Sequence, residues 1–143
     1  MARNAALRLV SRAEQCTFLL SQKLLKRGFD AGVVKTVMRE LTAANIVNDG
    51  RFSRMWLRSR IVSKADTPRR IVAALRAKGI DRGTASEALQ ECLDSETERA
   101  LLGRFIKKRF GDMPFDLNGC RAELRGEGFS QGAIRDFGEA AER

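Results

Sequence analysis

Apolar residues recur at helical spacing, i, i+3, i+4 and i+7, over most of the chain, and no run alternates apolar and polar as a half-buried strand would. Ser11 and Glu14 form an S-x-x-E capping box, which predicts a helix carrying Cys16, Leu20 and Leu24 on one face and ending at Gly28. Val34, Val37, Met38 and Leu41 mark a second helix capped by Asp30, and Phe52, Met55 and Trp56 the inward face of a third that starts at Asn48 or Asp49. The order then repeats. Thr67, followed by Pro68 at the first helical position, opens a helix with Ile71, Val72 and Leu75 inward. Asp81 leads into Ala85, Ala88, Leu89 and Cys92, and a second capping box, Ser95 with Glu98, precedes Leu101, Leu102, Phe105 and Ile106. Asp116 opens a third copy through Leu117, Cys120 and Leu124, and Ser130 opens its next helix with Ile134 and Phe137.

Three stretches fix the register: RGFDAGVV at 27–34, KGIDRGTA at 78–85 and EGFSQGAI at 127–134. In each, a Gly, a large apolar residue and an Asp or Ser join a helix C-cap directly to the next N-cap. The glycines lie 51 and 49 residues apart, and the same offsets superimpose Leu20, Leu24 and Val34 on Ile71, Leu75 and Ala85, and these on Cys120, Leu124 and Ile134. The fold class that follows is all-α, a single array of tandem three-helix, helix-turn-helix-like repeats. About eight helices are expected, with repeat 1 at about 11–62, repeat 2 at about 67–110 and an incomplete repeat 3 at about 115–143.

Charge sharpens the picture. Of a formal net charge of +9, +8 lies within residues 51–82. A basic surface of this kind meets a polyanion, nucleic acid or an acidic protein face. Arg51, Arg54 and Arg58 stand at i, i+3 and i+7 on one helix, and Arg60, Lys64, Arg69, Arg70 and Arg76 continue the block with Asp66 opposing. Lys107 and Lys108, flanked by Arg104 and Arg109, extend it in the second unit. Such a surface neutralises phosphates or acidic side chains without reading sequence. Trp56 is a candidate stacking platform for bases. It shares its face with Phe52 and Met55 and matches Phe105 at repeat spacing, so it is read as core.

The absence of histidine removes the commonest general base and zinc ligand, and no nucleophile is assembled with a base, so neither a catalytic residue nor a metal or cofactor site is expected. Cys16, Cys92 and Cys120 are odd in number and form no CxxC pair; they are read as small core residues in a reducing cytoplasm. Neither a signal peptide nor a membrane span is expected, and without an exposed heptad seam the free protein is expected to be a monomer.

At this point the residues resemble a known family. The K-L-x-x-[KR]-G turn at Lys23–Gly28, the L-x-x-x-x-[IV]-[VL]-N-D-x-R-F junction at Leu41–Phe52 and the L-x-x-K-G-I turn at Leu75–Ile80 are similar to those of RecX, bacterial regulators of the RecA recombinase. The resemblance implies tandem three-helix repeats in an elongated, curved molecule lying in the groove of the RecA filament on single-stranded DNA. It also implies suppression of RecA's ATPase, strand-exchange and coprotease activities, by capping filament growth or promoting disassembly. One departure is that LDSETERALL is two residues shorter than its counterpart and lacks the NDxRF signature. A second is that the third repeat is read without its last helix. The alternative reading is a helix-turn-helix transcriptional regulator. Its candidate recognition helix, AGVVKTVMREL, offers only Lys35, Thr36 and Arg39 to base edges.

Overall fold

The structure, a computed structural model, describes residues 1–63, 66–111 and 116–141. Among the described residues there are nine α-helices and no strand: α1 (Ala2–Arg12), α2 (Thr17–Lys26), α3 (Ala31–Ala43), α4 (Asp49–Ser63), α5 (Pro68–Ala77), α6 (Arg82–Cys92), α7 (Ser95–Phe110), α8 (Leu117–Gly126) and α9 (Gln131–Ala141). That is one more than the pattern predicts, and the addition is α1. Its inward residues are Ala2, Ala5 and Ala6, whose methyl groups give a weak apolar stripe. They pack in a first core with Leu20, Leu24, Val34, Val37, Met38, Leu41 and Val47.

The existence of α1 displaces the first capping box. Ser11 lies inside the last turn of α1 and donates to the carbonyl of Arg8, while α2 begins at Thr17. The second box is displaced too. Asp94, not Ser95, caps α7 by accepting from the backbone N–H of Thr97 (2.7 Å), and hydrogen bonds from Thr97 hold its carboxyl below the usual carboxylate range. The other predicted caps are in place: Asp30 on α3, Thr67 on α5, Asp81 on α6 and Asp116 on α8 each accept from a first-turn N–H. Ser130 accepts from the N–H of Ala133 at the start of α9.

The three glycine turns are the same device used three times. Gly28, Gly79 and Gly128 have φ of +90°, +85° and +96°, the left-handed region that glycine enters without a Cβ clash. The next N–H reaches back to close a Schellman motif: Phe29 to Leu24 (3.3 Å), Ile80 to Leu75 (3.3 Å) and Phe129 to Leu124 (3.2 Å). Each accepting residue is a fully buried leucine, so the turn is tied to the core at the point where the chain reverses.

Packing groups the helices in threes. α1 lies on α2 and α3, α4 and α5 both on α6, and α7 and α8 both on α9. A tandem repeat has no intrinsic starting point, and packing phases it one helix earlier than the glycine-turn alignment does. A second core runs continuously from Leu57 and Ile61 of α4 through Ile71, Leu75, Leu101, Leu102 and Phe105 to Leu124 and Ile134, so the second and third triplets share one interior.

Neighbouring triplets are joined by a repeated contact in which the start of one unit's second helix rests on the next unit's glycine turn. At the first joint Phe18 covers Gly79 and the thiol of Cys16 donates to the carbonyl of Lys78 (3.5 Å). Burial pushes that thiol's pKa up, which keeps it protonated and unreactive. At the second, Pro68 covers Gly128 and the N–H of Arg69 donates to the carbonyl of Glu127 (2.9 Å). Glu127 also accepts from the hydroxyl of Thr67 (2.7 Å) and from the guanidinium of Arg69 (3.2 Å). Those bonds, Thr67's foremost, hold its carboxyl below the usual range.

Two apolar expectations change. In α4 the fully buried residues are Ser53 and Leu57, followed by Ile61, an i, i+4, i+8 stripe; Phe52 and Trp56 are half-buried at its side and Met55 is exposed. Cys16 is a core residue as expected, whereas Cys92 and Cys120 are only partly buried.

Candidate functional site

The basic block divides by what each cation touches. Arg51 is the most committed. Its guanidinium donates to Glu14 (2.7 Å) and to the carbonyls of Asn45 (3.0 Å) and Ile46 (2.9 Å), which follow the end of α3. It therefore ties the α1–α2 link and the α3–α4 link to the first turn of α4. Beside it Asn48 caps α4 by accepting from the N–H of Arg51 (2.9 Å), and Asp49 accepts from both the N–H and the hydroxyl of Thr17 at the start of α2. The N-D-x-R-F junction is thus a three-way clamp: the Asn holds its own helix, the Asp the helix two before it, and the Arg the loops between.

Arg54 pairs with Glu91 of α6 across the α4–α6 contact at 3.5 Å, a largely exposed pair that contributes little stability. Arg60 pairs with Asp66 at 2.8 Å and also lies over Trp56, 5.4 Å from the ring centroid. Lys78, at the end of α5, lies 5.9 Å from the same centroid. The structure therefore places both Arg60 and Lys78 within cation–π range of one indole. Arg104 of α7 donates to the carbonyl of Ile61 (3.0 Å), fastening α7 to α4.

Arg69 and Arg76 line one groove with Arg82, between α5 and α6. Arg69 and Arg70 sit in the first turn of α5 and Arg82 is the first residue of α6, so three cations occupy the positive ends of two helices, where the helix dipole disfavours them. Glu127 offsets this for Arg69. Arg58, Arg70, Arg76, Lys107 and Lys108 are exposed and form no ion pair among the described residues. Lys107 and Lys108 are in the last turn of α7, where the dipole favours them. Lys64 lies outside the described residues. Lys78 and Arg82, absent from the sequence-based set, belong to the charged block, and their places beside the second glycine turn were the signal that could have found them.

A chain of tandem three-helix units joined through glycine turns, with a cationic middle, is a helical-array protein of the helix-turn-helix-like kind. Family models place it further. The second three-helix domain of RecX matches residues 48–89 and the first matches residues 2–41, corresponding to α4–α6 and α1–α3. The regulatory protein RecX of Halorhodospira halophila is 34% identical, covering 98% of this chain and 88% of that one. The regulatory protein RecX of Treponema pallidum is 34% identical over 72% of this chain, which spans 63% of that relative. The crystal structure of RecX from Lactobacillus salivarius shares the fold, with a TM-score of 0.77, 20% identity and coverage of 99% and 94% of the two chains. The chain belongs to the RecX family, a family of regulatory proteins. No described helix is long and apolar enough to cross a membrane.

Proposed function

We propose that this protein is a non-enzymatic regulator that binds the RecA filament on single-stranded DNA and inhibits RecA's ATPase, strand-exchange and coprotease activities. The observation that carries the reading is the set of exposed cations that form no ion pair among the described residues, Arg58, Arg70, Arg76, Lys107 and Lys108, on a chain of the RecX family. These side chains are available to phosphates of the filament's DNA or to carboxylates of RecA, whereas Arg51 and Arg104 spend their donors inside the fold. Binding that favours one state of the filament shifts its equilibrium without chemistry, so a regulator of this kind needs no catalytic group. The protein acts as a monomer in the cytoplasm on this reading, with RecA as its protein partner and single-stranded DNA met directly or through RecA.

The test is RecA's ATP hydrolysis on single-stranded DNA with the protein titrated in. Progressive inhibition toward saturation is expected, and unchanged hydrolysis at saturating protein removes the reading. The transcriptional-regulator alternative gains no support from family membership, and selection on random duplex DNA should return no enriched half-site.

A further inference from the structure

The packing that covers the inner faces of α2–α3 and α5–α6 leaves a groove on the outside of each helical hairpin. The first has a volume of about 660 Å³ and is lined by Leu25, Ala31, Val34 and Met38, with Thr17 and Ser21 at one side. The second, of about 410 Å³, is lined by Pro68, Val72, Ala73 and Leu89 and bounded by Gly126 and Gly128 of the next unit. They are the same place in successive repeats. At the 51-residue offset Thr17, Ser21, Leu25, Ala31 and Met38 of the first correspond to Pro68, Val72, Arg76, Arg82 and Leu89 of the second.

Both grooves combine an apolar floor with a cationic rim. Lys35 and Arg39 line the first, Arg69, Arg76 and Arg82 the second, and among the described residues no acidic side chain lines either. Leu25 is 39% exposed, a large aliphatic side chain left in water at the wall of the first groove. Met38 supplies an adaptable thioether surface in its floor. A nucleic-acid backbone would satisfy the cations but cover the apolar floor with phosphate. An amphipathic helix with apolar residues at i, i+3, i+4 and i+7 and carboxylates on its flanks satisfies both at once.

We propose that each groove docks an acidic amphipathic helix of a protein partner, and that the tandem placement accepts two such helices from adjacent copies of a repeating partner. The second half of this statement rests on the filament reading above; the first does not. Two sites on one chain turn the second docking event into an intramolecular one, so a repeated partner is held far more firmly than a single copy.

The test uses the full chain and a fluorescein-labelled synthetic peptide of about twenty residues, long enough for five to six helical turns. The peptide carries leucine at the helical spacing above and glutamate on the flanks. Its controls are a scrambled peptide of the same composition and an oligothymidylate. Anisotropy should show the patterned peptide binding about tenfold more tightly than the scrambled one, a difference of about 1.4 kcal/mol. Lys35→Glu with Arg39→Glu, and separately Arg82→Glu, should each weaken it by a similar factor at unchanged melting temperature, since all three side chains are exposed. Equal binding of the scrambled peptide, no binding of either, or displacement of the patterned peptide by oligothymidylate overturns the docking proposal. RecA inhibition that survives all three substitutions overturns the repeating-partner half and leaves the filament reading intact. Loss of the filament reading with specific peptide binding retained removes only the repeating partner.

Discussion

The carboxylate of Asp49, in the first turn of α4, accepts from both the backbone N–H (2.7 Å) and the hydroxyl (2.8 Å) of Thr17, thirty-two residues earlier at the start of α2. One side chain so caps a helix of the preceding triplet from the first helix of the next, and half-burial strengthens the bonds. Asp49→Ala should cost about 1–3 kcal/mol, the range for losing a cap and a charged acceptor. Urea denaturation followed by circular dichroism measures it. Asp49→Asn keeps a carbonyl acceptor and should lose less.

Arg51 and Arg58 lie seven residues apart on one helix and should separate stability from binding. Arg51→Ala removes the bonds to Glu14, Asn45 and Ile46 and should lower stability by about 2 kcal/mol or more. Arg58→Ala should leave the denaturation midpoint unchanged and weaken filament binding. Equal midpoints for the two variants would show that the clamp carries no energy.

The glycine turns differ in what surrounds them. A Cβ at Gly28 meets nothing within 4 Å, whereas one at Gly79 falls 2.3 Å from Cβ of Phe18. Gly28→Ala should therefore cost about 1–2 kcal/mol, the left-handed penalty alone. Gly79→Ala should cost clearly more. Combining Gly79→Ala with Phe18→Gly, which removes that Cβ, should recover part of the excess, visible as a non-additive double-mutant cycle in thermal melts.

Glu127 links the joint between the second and third triplets to pH. Its folded pKa is depressed below the ordinary glutamate value, so its contribution is fully present above that value and is lost as pH falls toward the folded pKa. Glu127→Gln should lower the melting temperature at neutral pH, and the gap from wild type should narrow below about pH 4. A constant gap across the titration would show that the ionised form carries none of the joint.

The parts of this fold that the sequence shows are those where a single residue type has a local cause. Left-handed turns demanded Gly28, Gly79 and Gly128, caps demanded Asp30, Thr67, Asp81 and Asp116, and the inward faces of α3 and α7 carry unbroken stripes of large apolar residues. α1 was illegible because its stripe is alanine. The inward face of α4 is hidden in the sequence because one of its buried positions is Ser53, whose hydroxyl is satisfied within the helix by the carbonyl of Asp49 (2.7 Å). A polar residue there left Phe52, Met55 and Trp56 as the apparent stripe.

The basic block was visible as charge, but its division into clamps and exposed cations was not. The partners of Arg51, Glu14 and the two carbonyls near Asn45, meet it only in three dimensions. By its spacing from Ser11, Glu14 is half of a capping box. In the structure it is the acceptor that helps take Arg51 out of the free surface.

Salt-dependent binding to RecA filaments on single-stranded DNA tests the central claim most directly. The measurement compares wild type with Arg58→Glu/Arg70→Glu and with Arg121→Glu/Arg125→Glu, all at matched thermal stability. Arg58 and Arg70 are exposed cations of the middle block; Arg121 and Arg125 lie on α8. The account predicts that the first variant binds at least about tenfold more weakly, with a shallower dependence on salt because fewer counterions are released, while the second stays near wild type. Equal losses from both, or an unchanged salt slope in the first, would contradict it.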